Sequence, residues 1–347
     1  MNWKAALVLI LLVAPGWAGC IFQETPPSQP PPPGRSDWAF NATQIAELNA
    51  MGLSGRGVRV AIIDTGIDLS HPDFSGFCIT FWQDLVNGQA APYDDDGHGT
   101  MMASILWGQK GGAPNASLIV IKAVDNKGQS EDSTIAAAVR LAMDPNGDDD
   151  PSDSADVISM SLGGMRFLSL GSGSESAVGE ALSAGVFVVA AAGNNGQGGD
   201  VDSPASVTHA IAVGAVDINL TIASFSSVGT NDGSLIPPRR PRQDPDKKPE
   251  LVAPGVDIWS AASGSGYAYI SGTSPATVFV STALALILES LPQYRRASNG
   301  GETTIVKFKQ AFMDTAGKLD SQAMPHDDAY GYGLVRARDA LEALSAG

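Results

Sequence analysis

Five short, predominantly apolar runs, broken only by Arg59 and Ser159, constrain the fold of this chain more than any other feature. They occupy residues 58–63, 118–121, 157–160, 186–191 and 211–216. A strand with one wet face alternates apolar and polar residues; these do not, so both of their faces must be covered. Helical stretches lie between and after them. In 133–143, Ile135, Val139 and Met143 recur at four-residue spacing. A second helix fits 174–184, and a third fits 274–290, with Pro275 where a helix start tolerates a missing N–H. Strands that alternate with helices predict an α/β fold of three layers, a mostly parallel sheet with helices on both faces. The hydrophobic fraction of 44% supplies a core of that size.

Residues 1–19 read as an export signal. Lys4 precedes an apolar run, 5–14, that is too short to span a bilayer. The Ala18-Gly19-Cys20 ending resembles a prokaryotic lipobox, with Trp17 where leucine is preferred. That resemblance implies a lipidated Cys20 at the outer face of the cell membrane, a weak tether if only one chain is attached. The alternative is simple secretion. Residues 20–37 add Pro26-Pro27 and Pro30 to Pro33, a stiff spacer that cannot pack a core. The folded domain is expected over 38–347. With Cys20 lipidated, Cys78 has no disulfide partner and is expected as a small buried hydrophobe. A net charge of −16 argues against nucleic acid as a partner. Two polar segments are expected as solvated loops: the Asp-rich 144–156, and 229–250, a basic island with Arg239, Arg240, Arg242, Lys247 and Lys248.

Three glycine-bracketed segments carry an acid, a base and a nucleophile: Asp64-Thr65-Gly66, Gly97-His98-Gly99-Thr100 and Gly272-Thr273-Ser274-Pro275-Ala276. A serine hydroxyl attacks only with a base in reach, and the base needs an orienting carboxylate. His98 alone of the four histidines has glycine on both sides; His71, His209 and His326 read as structural or surface residues. The apolar run that ends at Ala192 leads into Gly193-Asn194. An amide there can donate to a developing oxyanion beside the Ser274 N–H. Asp-Thr-Gly also occurs in aspartic proteases, but no second copy is present to complete a carboxylate pair. The order Asp, His, Ser differs from that of chymotrypsin and of the α/β-hydrolases. A peptide-binding protein without turnover is the alternative class, and the complete set of reactive residues argues against it.

From about residue 38 to the C-terminus the chain resembles the subtilisin (subtilase) family. The matching segments include Gly55-Arg56-Gly57-Val58, His71-Pro72-Asp73, Ser159-Met160-Ser161-Leu162-Gly163-Gly164, Val252-Ala253-Pro254-Gly255 and Tyr330-Gly331-Tyr332-Gly333. The resemblance implies a serine endopeptidase with Asp64, His98 and Ser274 as triad and Asn194 as oxyanion donor. It implies that Ser161, Leu162 and Gly163 pair with the substrate backbone and that Ala191, Ala192 and Gly193 line the primary specificity pocket. Polypeptides are then the substrates, the chemistry requires no cofactor, and the chain is taken as a monomer. It departs from the family in three places. The spacer stands where many relatives carry a folded pro-domain. The stretch from Thr100 to Ala113 is short, so the loop that completes a calcium site with Asp73 is not expected. Thr277-Val278-Phe279 replaces the usual residues after the nucleophile.

Two further expectations concern carboxylates. Asp144, Asn146, Asp148 and Asp150 place oxygens at alternate positions, with Asp153 and Asp156 beyond, as in loops that hold structural calcium. The family alignment sets Asp200 and Asp202 near the floor of the specificity pocket, where a carboxylate would favour Arg or Lys before the scissile bond.

Overall fold

The computed structural model describes residues 36–163, 172–234, 240–262, 264–298 and 300–346. Residues 1–19 expected as an export signal, Cys20, the expected spacer up to residue 35 and Arg239 lie outside these residues. Two short helices, α1 (Asp37–Ala42) and α2 (Ile45–Ala50), lead into β1 (Arg59–Asp64), β2 (Phe81–Asp84), α3 (His98–Trp107), β3 (Ser117–Lys122) and α4 (Asp132–Met143). Then come β4 (Val157–Met160), α5 (Gly173–Ser183), β5 (Phe187–Ala191), β6 (Ile211–Val216) and β7 (Leu251–Pro254). A hairpin of β8 (Ile258–Ala262) and β9 (Gly266–Ile270) precedes α6 (Thr273–Ser290), α7 (Glu302–Thr315) and α8 (Ala337–Ala346).

Seven strands form one parallel sheet in the order β2-β3-β1-β4-β5-β6-β7. The five apolar runs are five of these strands, and β4, β5 and β6 are buried along their whole length. That burial on both faces is why they carry no polar alternation. Helix α6 packs on β4 to β7 and on α3, while α4 and α5 pack on each other and on β1, β3 and β5. The result is the three-layer arrangement expected. By length and composition α6 could cross a membrane, but 89% of it is buried, and it is the central core helix.

The chain leaves β1 toward β3 and β2 on one side, and later continues from β4 on the other. The edge where these two directions part, between β1 and β4, is where open α/β sheets leave a crevice at the carboxyl ends of their strands. Asp64 closes β1 there, and Ser161 follows β4 directly.

Two expectations fail. Cys78 is exposed, not buried. Phe74 and Ile79 anchor its loop inward, which turns the cysteine between them to solvent. The basic segment 229–250 is not a wholly solvated loop. Lys248 is fully buried, with its Nζ 2.8 Å from Glu250 and 2.6 Å from the Ala210 carbonyl that accepts its hydrogen bond. Arg242 makes a bidentate pair with Asp200 at 2.6 and 2.7 Å. Arg242 is neutralised by a partner 42 residues away, and Lys248 is turned inward by Glu250 and by a carbonyl 38 residues away, which local composition does not reveal.

Candidate active site

Asp64 is 1% exposed at the end of β1. Its Oδ1 accepts from the Thr65 N–H at 2.7 Å and lies 2.8 Å from His98 Nδ1. This pairing leaves Nε2 as the free face of the imidazole. His98 opens α3, and its side chain is about a quarter exposed. Burial would lower its pKa, but the Asp64 carboxylate, with Asp96 and Asp94 behind it, outweighs that and holds the pKa above the ordinary 6.5. The approach of α3 to the β1 loop needs glycine on both sides. A Cβ on Gly99 would sit 2.2 Å from the Gly66 carbonyl oxygen, and one on Gly66 would sit 2.1 Å from that of Tyr93.

A second carboxylate fixes this junction. Asp94 accepts from Thr65 Oγ1 at 2.9 Å, from the Gly97 N–H at 2.8 Å, and from the Thr100 N–H and hydroxyl at 2.8 and 2.6 Å. Burial would raise its pKa, but these bonds, led by that from Thr100, hold it below the usual carboxylate range. Thr65 Oγ1 in turn accepts from the Gly99 N–H at 2.8 Å. From below, buried Lys122 donates to the Thr65 carbonyl at 2.6 Å and reaches Asp95. Sequence reasoning missed Asp94, Thr65 and Lys122. The available signal was the Asp94-Asp95-Asp96 run directly ahead of Gly97-His98.

Ser274 lies in the first turn of α6 and is 8% exposed. Its hydroxyl donates to the Ser161 carbonyl at 3.2 Å, and the Ser161 hydroxyl donates to the Ser274 carbonyl at 3.0 Å. Ser274 and the strand-edge segment are thus locked together. Ser161 is buried, Leu162 is half-buried and Gly163 is exposed, so the backbone edge after β4 opens to solvent. Ala191, Ala192 and Gly193 are buried at the end of β5, and the Gly193 N–H donates to Thr273 Oγ1 at 3.2 Å.

The amide of Asn194 is held by its oxygen. Oδ1 accepts from the Thr273 N–H at 2.9 Å and from the Thr273 hydroxyl at 3.1 Å. This orients the NH2 away from Thr273, on an exposed residue beside Gly272. The start of helix α6 therefore fixes both Ser274 and an outward-facing donor. Thr273 is a fourth residue missed from sequence; its signal was its place directly before Ser274.

The remaining candidates lie elsewhere. Asp144 and Asp148 come together with Asp153, with ligand oxygens within 4.8 Å of one another. Asp150 is not in this group; its carboxylate accepts from the Ser152 N–H. Asn146 accepts from the Asp148 N–H and donates to its carboxylate. The loop precedes β4 and so lies at the opposite end of the sheet from Ser274. Asp73 is closed by Ser104 at 2.6 Å and Tyr267 at 3.3 Å. His71, His209 and His326 are all engaged with backbone or carboxylate groups away from Ser274.

The fold is that of an α/β enzyme, with the Asp64–His98 pair and the Ser274–Ser161 contact at the carboxyl end of its sheet. Residues 55–333 match the subtilase family, peptidase S8. The chain is 35% identical over 309 residues to Subtilisin Savinase of Lederbergia lenta, covering 87% of this chain and 97% of that protein. It is 37% identical over 258 residues to Subtilisin DY of Bacillus licheniformis (71% and 82%), and 35% identical over 309 residues to an alkaline protease of Alkalihalobacillus alcalophilus (87% and 69%). The chain belongs to the subtilase family and is a subtilisin-like serine endopeptidase.

Proposed function

We propose that Asp64, His98 and Ser274 act as the catalytic triad and that Asn194 donates to the oxyanion. The observation that carries this is the Asp64–His98 bond through Nδ1, which leaves Nε2 to receive a proton. A turn of the Ser274 hydroxyl from the Ser161 carbonyl toward His98 hands that proton over as Oγ attacks the scissile carbon. The oxyanion then meets the Asn194 NH2 and the Ser274 N–H. His98 returns the proton to the leaving amine, and water repeats the sequence on the acyl-enzyme. The substrate lies as an added strand along Ser161, Leu162 and Gly163. The test is fluorophosphonate labelling of the wild type beside Ser274→Ala, followed by casein cleavage. Label and cleavage in the wild type alone support the triad; a folded wild type that takes no label sinks it and favours a peptide-binding protein.

The Asn194 reading has its own kinetic signature. Asn194→Ala is expected to lower kcat by about 10²–10³, the scale established for such a donor in subtilisin, a relative, with KM little changed. An equal loss in KM would mean that Asn194 shapes the groove rather than stabilising the oxyanion.

The division into export signal, tethering spacer and catalytic domain extends this reading to an extracytoplasmic protease anchored through Cys20. Cys20→Ser is then expected to move the protein from the membrane fraction to the medium; an unchanged distribution would remove the anchor. Asp144, Asp148 and Asp153 fit a stabilising calcium ion, because three carboxylate oxygens already converge and calcium takes oxygen ligands. At free calcium about 100 times Kd the gain would be about 2.7 kcal/mol. In the Ser274→Ala background, EDTA should lower Tm, and Asp148→Asn should abolish that response. A Tm indifferent to EDTA and to added calcium would exclude the site.

A further inference from the structure

Six buried carboxylates are found among the described residues, and five of them are answered by donors suited to a negative charge. Asp64 has His98, Asp73 has Ser104 and Tyr267, and Asp84 has the N–H groups of Val86, Asn87 and Gln89. Asp156 has those of Arg59 and Arg296, and Glu250 has two lysines. Asp202 is the exception. It is 8% exposed, its Oδ1 accepts one neutral hydrogen bond, from Asn195 Nδ2 at 3.0 Å, and no cationic side chain among the described residues pairs with it. A carboxylate left in that state is costly.

Its position gives the exception meaning. The Asp202 N–H donates to the Ala192 carbonyl at 2.8 Å, which backs the residue onto the segment leading to Gly193. A Cβ on Gly193 would lie 2.4 Å from Asp202 Oδ2, and one on Gly163 would lie 3.0 Å from its Cβ and 3.6 Å from Oδ2. The side chain therefore stands where the two glycine-lined segments, 161–163 and 191–193, approach each other. Both segments also touch the nucleophile's turn, through Ser161 on Ser274 and Gly193 on Thr273. A peptide whose carbonyl carbon meets Ser274 and whose backbone follows 161–163 must send its preceding side chain between these walls. Asp200, two residues away, is spent: Arg242 holds both of its oxygens.

We propose that Asp202 selects a lysine or arginine as the substrate residue before the scissile bond, and that Asp200 has no direct part in this choice. The proposal rests on Ser274 being the nucleophile. It gives the uncompensated carboxylate the cation that the fold does not supply. Burial, reinforced by the charge of Asp200 and only partly offset by Asn195, pushes the Asp202 carboxyl up to about 6. The charged groups around it are Asp200, held by Arg242, and Glu175, which accepts from the hydroxyl of the neighbouring Ser203 at 3.0 Å; the facing Gly163, Gly193 and Ser227 bring no charge. The selecting charge is therefore present above about pH 6 and lost below it.

The test compares succinyl-Ala-Ala-Pro-Lys-p-nitroanilide with its Leu counterpart, in the wild type and in Asp202→Asn. At pH 8 the wild type should favour Lys in kcat/KM. Asp202→Asn should cut the Lys-to-Leu ratio by about 30-fold, within the range for losing one partner of a desolvated pair, with the larger loss on the Lys substrate. In the wild type the ratio should fall as pH drops through about 6. It should stay flat in the variant, because titration of His98 affects both substrates alike. A ratio unmoved by Asp202→Asn overturns the proposal. So does an equal loss on both substrates, which would make Asp202 a support for Asn195 alone. Fluorophosphonate labelling separates the two levels. A labelled enzyme without lysine preference loses only the specificity, whereas an unlabelled one loses the triad reading and the specificity with it.

Discussion

Ser274→Ala is expected to lower kcat by about a millionfold, as the loss of the nucleophile does in subtilisin. Asp64→Asn should cost about 10⁴, because the amide presents the wrong partner to Nδ1 and the base loses its orientation. The two losses should not add, since each removes the same concerted step. The residual rate, carried by Asn194 and substrate binding, should remain measurable above background. The pH profile gives an independent check. His98 must be neutral to accept the proton, so kcat/KM should fall as pH drops through its pKa. The neighbouring carboxylates hold that pKa above 6.5, so the acid limb should lie above that value. Asp96→Asn removes one contributor and should move the limb downward without changing the plateau. Titration of a wild type whose limb sits below 6.5, or a Ser274→Ala variant that keeps activity near the wild-type level, would show that another group does the work.

Much of this arrangement was legible in the chain. The five apolar runs became central strands because burial on both faces demands continuous apolar sequence, and that demand is local. The glycine-bracketed segments around Asp64 and His98 were legible for a related reason, since the tight approach of Gly66 to Gly99 leaves a glycine signature that no ordinary turn requires. The short edge strands were not legible. β2 reads Phe81-Trp82-Gln83-Asp84, and half of it is too polar to announce a strand. The β8–β9 hairpin is half exposed, and its pattern is weak for that reason. Support by partners distant in sequence also stayed hidden. Asp94 acts through Thr65 and Thr100, Asn194 is oriented by Thr273 across a gap of 79 residues, and Glu250 is shared between its neighbour Lys248 and the remote Lys309. A charge signals solvation only while it is unpaired, and pairing is decided by the tertiary fold. Asp200 and Asp202 make the same point side by side: both are aspartates of one short segment, yet only the structure separates the one neutralised by Arg242 from the one left open.

The largest stability effect is expected at Glu250, the residue that turned the basic segment inward. Its Oε1 lies 2.8 Å from Lys248 Nζ and 2.7 Å from Lys309 Nζ, and Lys309 also reaches Asp246 at 2.5 Å. Its Oε2 accepts from the Ala212 N–H on β6 at 2.8 Å. Two positive and two negative groups thus balance, with both lysines and Glu250 fully buried. Burial nevertheless pulls Lys248 down to about 8, against the attraction of Glu250, so the charged form is only just sustained. Because the folded pKa lies below the unfolded one, this lysine on its own makes the protein more stable as pH rises from about 8 toward 10.5. Glu250→Gln keeps the shape and an acceptor for Ala212 but leaves two ammonium groups facing one remaining carboxylate. Breaking a buried pair in this way costs about 3–5 kcal/mol, on the order of 10 °C in Tm for a domain of this size. Urea unfolding in the Ser274→Ala background would measure it without autolysis. Adding Lys248→Met should restore a large part of the loss, because the uncompensated charge is then gone. If the single variant is as stable as its parent, the cluster is hydrated and carries no stability. If the double variant is no better than the single, the cost lies in packing rather than charge. The effect reaches the active site by a short route. Glu250 directly precedes β7, and at the other end of that strand the Gly255 carbonyl accepts from the Gly272 N–H at 2.8 Å, at the start of α6. A loosened β7 therefore loosens the turn that presents Ser274. In an otherwise wild-type enzyme Glu250→Gln should slow fluorophosphonate labelling near its Tm while leaving the rate at low temperature unchanged.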